Sequence, residues 1–468
     1  MKQRRRTQGE FLHGALGHVV NCITLRVTLP GLALVCTLGA GSPPDTVPRD
    51  HSLTVVAPND GAAAYNATFG AGNWTALAPY VDLLVAPRTA QVPATMKTAR
   101  YLDVNLCSNL TGPGKNDYPF PDCSAWPEGA FYAQPGHPER PLSTKSGGIW
   151  QRFGAPSSPQ MRALALAAID GALHAHDDTL IYLDDATPPD DFYADMCWGA
   201  PSFEKGTGPC EGAPGGRARP PVDGGAAAWV AGMRQLIDAV PRPVLLNGGL
   251  ASDAAHVPSP ETRLIATDAH VWGAACDGCF YGNSPVPKNK YLWSGPVLRT
   301  RLDGIMHVTG AGKNVVLVDF AVTDPAARRR ALADVMLFYE ADRTWFWYAA
   351  CGERSHIQVC PEAALTFYRP LRPYPKDVRD VAAAGGAFVR EFAACYDAGK
   401  PVGPCATVVN PEPERSVPLP ELHGTYAHSL RISGDGLCAC YGDTGSLDFD
   451  GPAAPATLPA ASGFVLFR

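Results

Sequence analysis

Five aspartates sit where chemistry would need them, each at or near the end of a short apolar run: Asp103, Asp184, Asp185, Asp277 and Asp319. The clearest case is Thr179 to Asp191, TLIYLDDATPPDD. Leu180, Ile181, Tyr182 and Leu183 favour a strand that is apolar on both faces, which is the pattern of a strand buried inside a parallel sheet. Asp184, Asp185, Pro188 and Pro189 then end it, so two carboxylates fall at a sheet rim. In α/β barrels the carboxyl-terminal rim is where chemistry is done. The plainer reading is that one Asp caps the following turn while the other is solvated. Two adjacent like charges are unfavourable without a purpose, which weighs against that reading for the pair.

Two carboxylates facing each other across a rim are the minimal machinery for glycoside hydrolysis. One protonates the leaving oxygen, and the other attacks the anomeric carbon or activates water. Aromatics able to stack on sugar rings lie in neighbouring strands: Trp150, Trp272, Trp345, Trp347 and Tyr348. Other chemistries find little support. There is no G-x-S-x-G elbow for a serine hydrolase and no H-E-x-x-H zinc helix. Gly310 to Asn314, GAGKN, lacks the first Gly and the Ser/Thr of a phosphate loop and precedes a strand, so it reads as a turn. Asp184 to Asp191 offers several oxygens to calcium, but its two prolines are unlike an EF-hand loop. Cys276 and Cys279 form a CxxC with no second half at a zinc-finger spacing. No metal or cofactor is expected.

The elements that would carry these residues alternate between strand-like and helix-like pieces. Strands are expected at Tyr80 to Val85, Arg100 to Asn105, Ile149 to Phe153, Thr179 to Asp185, Pro243 to Asn247, within Arg263 to Asp277, at Asn314 to Phe320 and at Thr344 to Tyr348, with an extra one at Ser52 to Val56. Ser158-Pro159 supplies an N-cap and a first-turn proline for a helix to about His176. Ala226 to Val240 and Asp324 to about Glu340 read as further helices, and Tyr291 to His307 as mixed helix and loop. Eight strands with intervening helices make a (β/α)₈ TIM barrel over residues 49–384. From about residue 385 the helical pattern stops. Phe388 to Tyr396, Ala406 to Asn410, Ser416 to Leu419, Tyr426 to Ile432, Ser446 to Asp450 and Gly463 to Phe467 then read as a small antiparallel β-sandwich over residues 385–468.

The chain's 468 residues suit a barrel plus a smaller module, and 46% hydrophobic content suffices for a full core. Only 18% is charged and the net charge is −6, with no basic stripe beyond the first residues, which argues against a nucleic-acid partner. Residues 1–48 read as an export leader and linker. Lys2, Arg4, Arg5 and Arg6 start it, Leu29 to Leu38 is its apolar core, and Gly39 to Ser42 supplies small residues for cleavage. That core is too short to span a bilayer, so no stable membrane insertion is expected once the leader is removed. Of the 14 cysteines, Cys22 and Cys36 fall in the leader. The remaining twelve form near couples: Cys107 with Cys123, Cys197 with Cys210, Cys276 with Cys279, Cys351 with Cys360, Cys395 with Cys405, and Cys438 with Cys440. Local disulfides and an extracytoplasmic compartment, secreted or periplasmic, are the expectation.

At the motifs YLDVNLC (Tyr101 to Cys107), IYLDDATPP (Ile181 to Pro189), LLNGG (Leu245 to Gly249) and WGAACDGCFYGN (Trp272 to Asn283), the chain resembles a family of bacterial glycosyl hydrolases with a TIM barrel, distant relatives of the α-galactosidase and α-amylase barrels. VREF (Val389 to Phe392), VVNP (Val408 to Pro411) and LPAASGFVLF (Leu458 to Phe467) resemble the β-domain that often follows such barrels. The resemblance implies a retaining hydrolase with its nucleophile at the end of the fourth strand, here Asp184 or Asp185, and its acid/base near the sixth, here Asp277. Relatives commonly carry Glu at that last position, a longer side chain than Asp. Asp185 is the first choice of the neighbouring pair. Asp103, Trp150, Asn247, Trp272, Asp319, Trp345 and Trp347 make up the expected substrate-facing set, and Asp319, Asp103 and Glu353 are the other acids within the same logic. The sequence thus supports a secreted glycoside hydrolase acting on a carbohydrate substrate. The rival is a non-catalytic barrel that binds polysaccharide through the same rim, and a second carboxylate facing the first separates the two.

Overall fold

The computed structural model describes residues 83–86, 97–103, 106–108, 126–134, 137–141, 143–146, 149–175, 179–184, 186, 188, 225–248, 250–277, 281–283, 290–320, 325–349, 362, 365–397, 399–432 and 446–468. The leader, the extra strand at Ser52 to Val56, Asp185, Glu353 and most of the proposed cysteine couples lie outside these residues.

Seven parallel strands form the central sheet in chain order: β1 (Leu84–Ala86), β2 (Thr98–Asp103), β3 (Leu180–Asp184), β4 (Val244–Asn247), β5 (Val271–Asp277), β6 (Asn314–Phe320) and β7 (Thr344–Ala349). Between them run α1 (Pro159–Ala175), α2 (Gly225–Ala239), α3 (Pro260–Thr267), α4 (Gly295–Gly310) and α5 (Pro325–Met336). The apolar alternation of LIYLD is realised on both faces. Ile181 and Leu183 join the cluster that includes Met161, Trp229, Met233 and Leu236 of the helices. Leu180 and Tyr182 join a second cluster with Leu83, Val85, Ala99, Tyr101, Leu245, Ala275, Val316 and Trp345. That inner cluster gathers side chains from beside the first strand through to the seventh, so the sheet curls around it.

The register is staggered as tilted strands require. One row of partners runs Leu102–Leu183–Leu246–Ala274–Val315–Thr344. It begins one residue from the end of β2 and finishes on the first residue of β7.

One expectation needs correction. Ile149–Phe153 is a strand, but it pairs antiparallel with Ser143–Ser146 and with Leu106–Ser108, outside the parallel sheet. The physical reason is that Ser146 and Ile149 are register partners, so the strand pairs with the segment just before it in the chain. Consequently Trp150 is not on the parallel sheet, and LIYLD is the third of the sheet's described strands. The strand expected within 263–277 is β5, and the residues before it belong to α3. Ser259 caps α3, accepting from the Thr262 amide at 3.2 Å, and Pro260 occupies the first turn. The region 291–307, expected to be mixed helix and loop, holds α4 from Gly295 after non-helical residues.

A second sheet is antiparallel and six-stranded. Its members are β8 (Leu365–Pro370), β9 (Phe388–Asp397), β10 (Lys400–Val409), β11 (His428–Ile432), β12 (Leu447–Gly451) and β13 (Gly463–Phe467), in the order β8-β9-β10-β13-β11-β12. Val417–Pro418 and Thr457–Leu458 pair separately. Leu365–Pro370 precedes residue 385 yet pairs with β9. This sheet packs on α5 through buried polar groups. Arg330 Nη1 donates to the Asn410 carbonyl at 3.1 Å, Thr407 Oγ1 to the Ala333 carbonyl at 2.8 Å, and Arg390 Nη1 to the Tyr339 carbonyl at 2.9 Å. Arg328 makes a bidentate pair with Glu362, both groups almost fully buried. The expected couple Cys395–Cys405 is a disulfide joining β9 to β10, and Cys107 and Cys276 are disulfide-bonded as well. Among the described residues no helix is long and apolar enough to cross a membrane.

Candidate active site

All strand ends of a parallel sheet point one way, so the carboxyl-terminal rim collects Asp103, Asp184, Asn247 and, by backbone position, Asp277 and Asp319. Asp184 is the best-defined of these. Alternation sets it on the inner face with Leu180 and Tyr182. Its Oδ2 accepts a short hydrogen bond from the Tyr101 hydroxyl, and its Oδ1 accepts from Asn247 Nδ2 at 2.5 Å. With both oxygens acting as acceptors, Asp184 has the hydrogen-bond pattern of an ionised carboxylate. It is half-buried, as a group facing a site mouth should be.

Each donor is placed by its own strand. Tyr101 is buried and stacks on Tyr182, ring centroids 5.1 Å apart, because Tyr101 and Tyr182 are register partners on β2 and β3. Asn247 ends β4, and its carbonyl accepts from the Ala186 amide at 2.7 Å, which ties the chain after Asp184 to the chain after β4. Gly248 is required by that approach: a Cβ there would lie 2.5 Å from the Ala186 carbonyl oxygen. This gives the LLNGG motif a physical role in seating the residues around Asp184.

Asp103 is the register partner of Asp184 on the adjacent strand, and is only 2% exposed. Position 277 ends β5 opposite Val318. Counted from the row through Leu183 and Ala274, it is two residues further along than position 184 and two strands away. Two strand spacings and two residues separate the Cα atoms by about 12 Å at most. The backbone positions 184 and 277 therefore both stand on the carboxyl-terminal rim, two strands apart. Asp319 pairs with Tyr348 and, by strand alternation, its position falls on the same face as Val315 and Leu317, which face the helices, not on the inner face expected for it. Trp347 pairs with Val318.

Trp272 and Trp345 are elsewhere. Both are the second residue of their strands, at the amino-terminal end. Their rings stand 4.7 Å apart, and Lys97, just before β2, places its ammonium 4.6 Å from one and 5.5 Å from the other. This cation–π stack is a floor beneath the inner cluster, at the opposite end from Asp184. Its tryptophans are not at the carboxyl-terminal rim where sugar stacking was expected.

Tyr101 is the residue that sequence reading overlooked. Its signal was the alternation in RYLD, which puts Tyr101 and Asp103 on one face, beside the matching Tyr182 and Asp184 of IYLD. Two groups among the described residues have the composition of cation sites: Asp238, Asp268 and His270, and His256, Asp303 and Asp377. Neither includes a residue around Asp184. Asp268, Asp303 and Asp377 are already engaged, by Arg234 at 3.6 Å, His256 at 2.6 Å and Arg379 at 2.6 Å.

The chain matches no protein-family profile and no curated protein. Among solved structures it is similar to the glycoside hydrolase domain of PelA from Pseudomonas aeruginosa, at 14% identity over 57% of this chain and 87% of that one, TM-score 0.36. It is also similar to a cycloisomaltooligosaccharide glucanotransferase from Paenibacillus sp., at 10% identity over 90% of this chain, TM-score 0.33. A third is the α-galactosidase from Lactobacillus brevis, at 10% identity over 90% of this chain, TM-score 0.36. The chain spans 55% of the length of each of the last two. Likenesses at TM-scores below 0.5 carry no weight for activity, so the functional reading rests on the residues around Asp184.

Proposed function

We propose that this protein is a glycoside hydrolase that cleaves O-glycosidic bonds of an oligo- or polysaccharide by a two-carboxylate mechanism. The observation that carries the reading is Asp184, a half-buried rim carboxylate held by Tyr101 and Asn247 with both oxygens accepting. An ionised carboxylate fixed on a rigid strand end suits attack on, or stabilisation of, an anomeric centre. In this reading Asp277 is the proton donor. What supports this is its backbone position at the end of β5, two strands from Asp184 on the same rim. Retention of anomeric configuration, as the resemblance implies, is the outcome we propose. Asp184 is preferred over Asp185 because alternation gives Asp184 the inner face.

The finer architecture belongs to the same proposal: a closed barrel completed by an eighth strand, followed by a β-sandwich module. Support for closure is the inner cluster that joins both ends of the seven-stranded sheet. Export to an oxidising compartment is supported by the Cys395–Cys405 disulfide. Screening the mature protein against aryl glycosides and plant and bacterial polysaccharides tests the activity. Binding of a polysaccharide with no release of reducing ends would replace it with the non-catalytic barrel.

A further inference from the structure

Asn247, the donor to Asp184 Oδ1, is followed by a loop that runs from β4 to α3 and is held at several points. The Ala251 amide donates to Thr262 Oγ1 at 3.1 Å, and that hydroxyl donates to the Ala251 carbonyl at 2.9 Å. Helix α4 comes so close that a Cβ on Gly304 would lie 2.5 Å from the Ala251 nitrogen. The Ser252 amide then donates to the Thr300 carbonyl of α4 at 2.9 Å. His256 has a φ of 65°, a left-handed backbone uncommon outside glycine, which persists where the surroundings impose it.

One side chain joins this loop to the antiparallel sheet. Asp303, on α4, is buried. Its Oδ2 accepts from Ser252 Oγ at 3.2 Å and meets His256 Nδ1 at 2.6 Å. Its Oδ1 accepts from the Val378 amide at 2.7 Å. Val378 opens the short helix Val378–Val381, and the chain beyond it reaches β9 through a bridge between Ala382 and Phe388. The two oxygens of one carboxylate therefore hold two separate parts of the fold. A buried carboxylate stripped of one partner is costly, so the loop and the short helix are fixed relative to each other. Leu250, between this anchor and Asn247, is itself buried in the helix-side core, and Gly248 lies against the Ala186 carbonyl. A shift of the anchor has little slack to absorb it before Asn247.

We propose that Asp303 is a positioning residue for Asn247, and through it for Asp184: it couples the entry of the antiparallel sheet to the loop after β4, so that a change at Val378 is felt at the rim. The catalytic consequence rests on the reading of Asp184 given above, whereas the coupling to Asn247 is independent of any substrate.

The test perturbs Asp303 and the far end of its hydrogen bond, and reads both at Asn247. Asp303→Asn keeps the size of the side chain and removes its charge. Val378→Pro removes the amide that donates to Oδ1. Proline suits the first position of a helix, and Asp377 before it is extended, at φ −157° and ψ 179°, as a residue before proline prefers. Nitrogen-15 NMR of the full chain follows the side-chain amide of Asn247. The amides of Asn314 and Asn410, bonded to the Trp272 carbonyl at 2.9 Å and the Arg415 carbonyl at 2.8 Å, serve as references. In both variants the Asn247 signal should move while the references stay. On the best glycoside from the screen, kcat should fall about tenfold with KM unchanged, since misplacing a group that acts on the reacting centre is felt in the rate. If Asp303→Asn does not fold, Val378→Pro decides alone. An Asn247 signal that stays in place in the folded variants overturns the proposal, as does a moved signal with kcat unchanged. A protein that cleaves no glycoside yet shows Asn247 moving loses the catalytic reading and keeps the coupling. An active protein whose Asn247 does not respond keeps the reading and loses the coupling.

Discussion

Replacing Tyr101 with Phe removes one hydroxyl and nothing else. The ring keeps its stack on Tyr182 and its buried site in the inner cluster, so the sheet should fold as before. What disappears is the donor to Asp184 Oδ2, leaving Asn247 as the remaining donor described here. A hydrogen bond to a charged group contributes about 1.5 to 3 kcal/mol. Lost from the ionised form alone, that energy makes Asp184 roughly ten- to a hundredfold harder to ionise. The sign is definite: the hydrogen bond favours the carboxylate, so its loss shifts ionisation to higher pH. The assay is the pH dependence of kcat/KM on the best aryl glycoside from the screen. The acidic limb should move upward, while the rate at high pH, where Asp184 is ionised in both proteins, should change far less. An acidic limb that stays in place, with the variant folded, would refute the assignment of Tyr101 as the group that holds Asp184 charged.

Three other perturbations probe the frame around the site. Gly248→Ala forces a Cβ to within 2.5 Å of the Ala186 carbonyl, so Asn247 must shift; activity should fall at least tenfold with little change in melting temperature. Glu362→Gln removes the carboxylate paired with buried Arg328 and should cost about 3 to 5 kcal/mol in denaturant unfolding; a loss under 1 kcal/mol would contradict a structural role for the pair. Asp334 is held up at about 6, chiefly by burial, with Arg330 opposing. Between its ordinary value and about 6 the native state binds the extra proton, so its contribution to stability is greatest at low pH and is lost, by about 3 kcal/mol, as pH rises through about 6. The difference in unfolding free energy between wild type and Asp334→Asn should carry that slope, and a pH-independent difference would contradict it.

Much of the central sheet was legible because its strands are short, apolar on both faces and followed by Asp or Asn. LIYLD, VLLN and NVVLVDF carry the apolar pattern of strands inside a covered parallel sheet. Strand character does not reveal which sheet a strand joins. IWQRF pairs with the segment just before it in the chain, and Leu365–Pro370 pairs forward into the antiparallel sheet. The start of α3 was missed although Ser259-Pro260 repeats the Ser158-Pro159 signature, because an apolar stretch beyond it drew the whole region toward strand. At the site, Asp184 and Asn247 were legible as strand-end polar residues. Tyr101 was not, since a tyrosine in a strand reads first as core, and only the register of β2 against β3 shows its hydroxyl reaching Asp184. The tryptophans misled for a related reason. Sequence fixes which strand carries Trp272 and Trp345, but their height, at the floor with Lys97, follows from where each strand begins.

The central claim is that Asp184 performs the chemistry of glycoside cleavage. Its most direct test is turnover of wild type and Asp184→Asn on the same glycoside, with proton NMR following the anomer released and circular dichroism confirming the fold. Asparagine keeps the size of the side chain and removes its charge, so the account predicts a folded variant with kcat lowered by at least about a thousandfold, and a wild-type product of retained configuration. A folded Asp184→Asn protein that hydrolyses the glycoside within tenfold of the wild-type rate would contradict it.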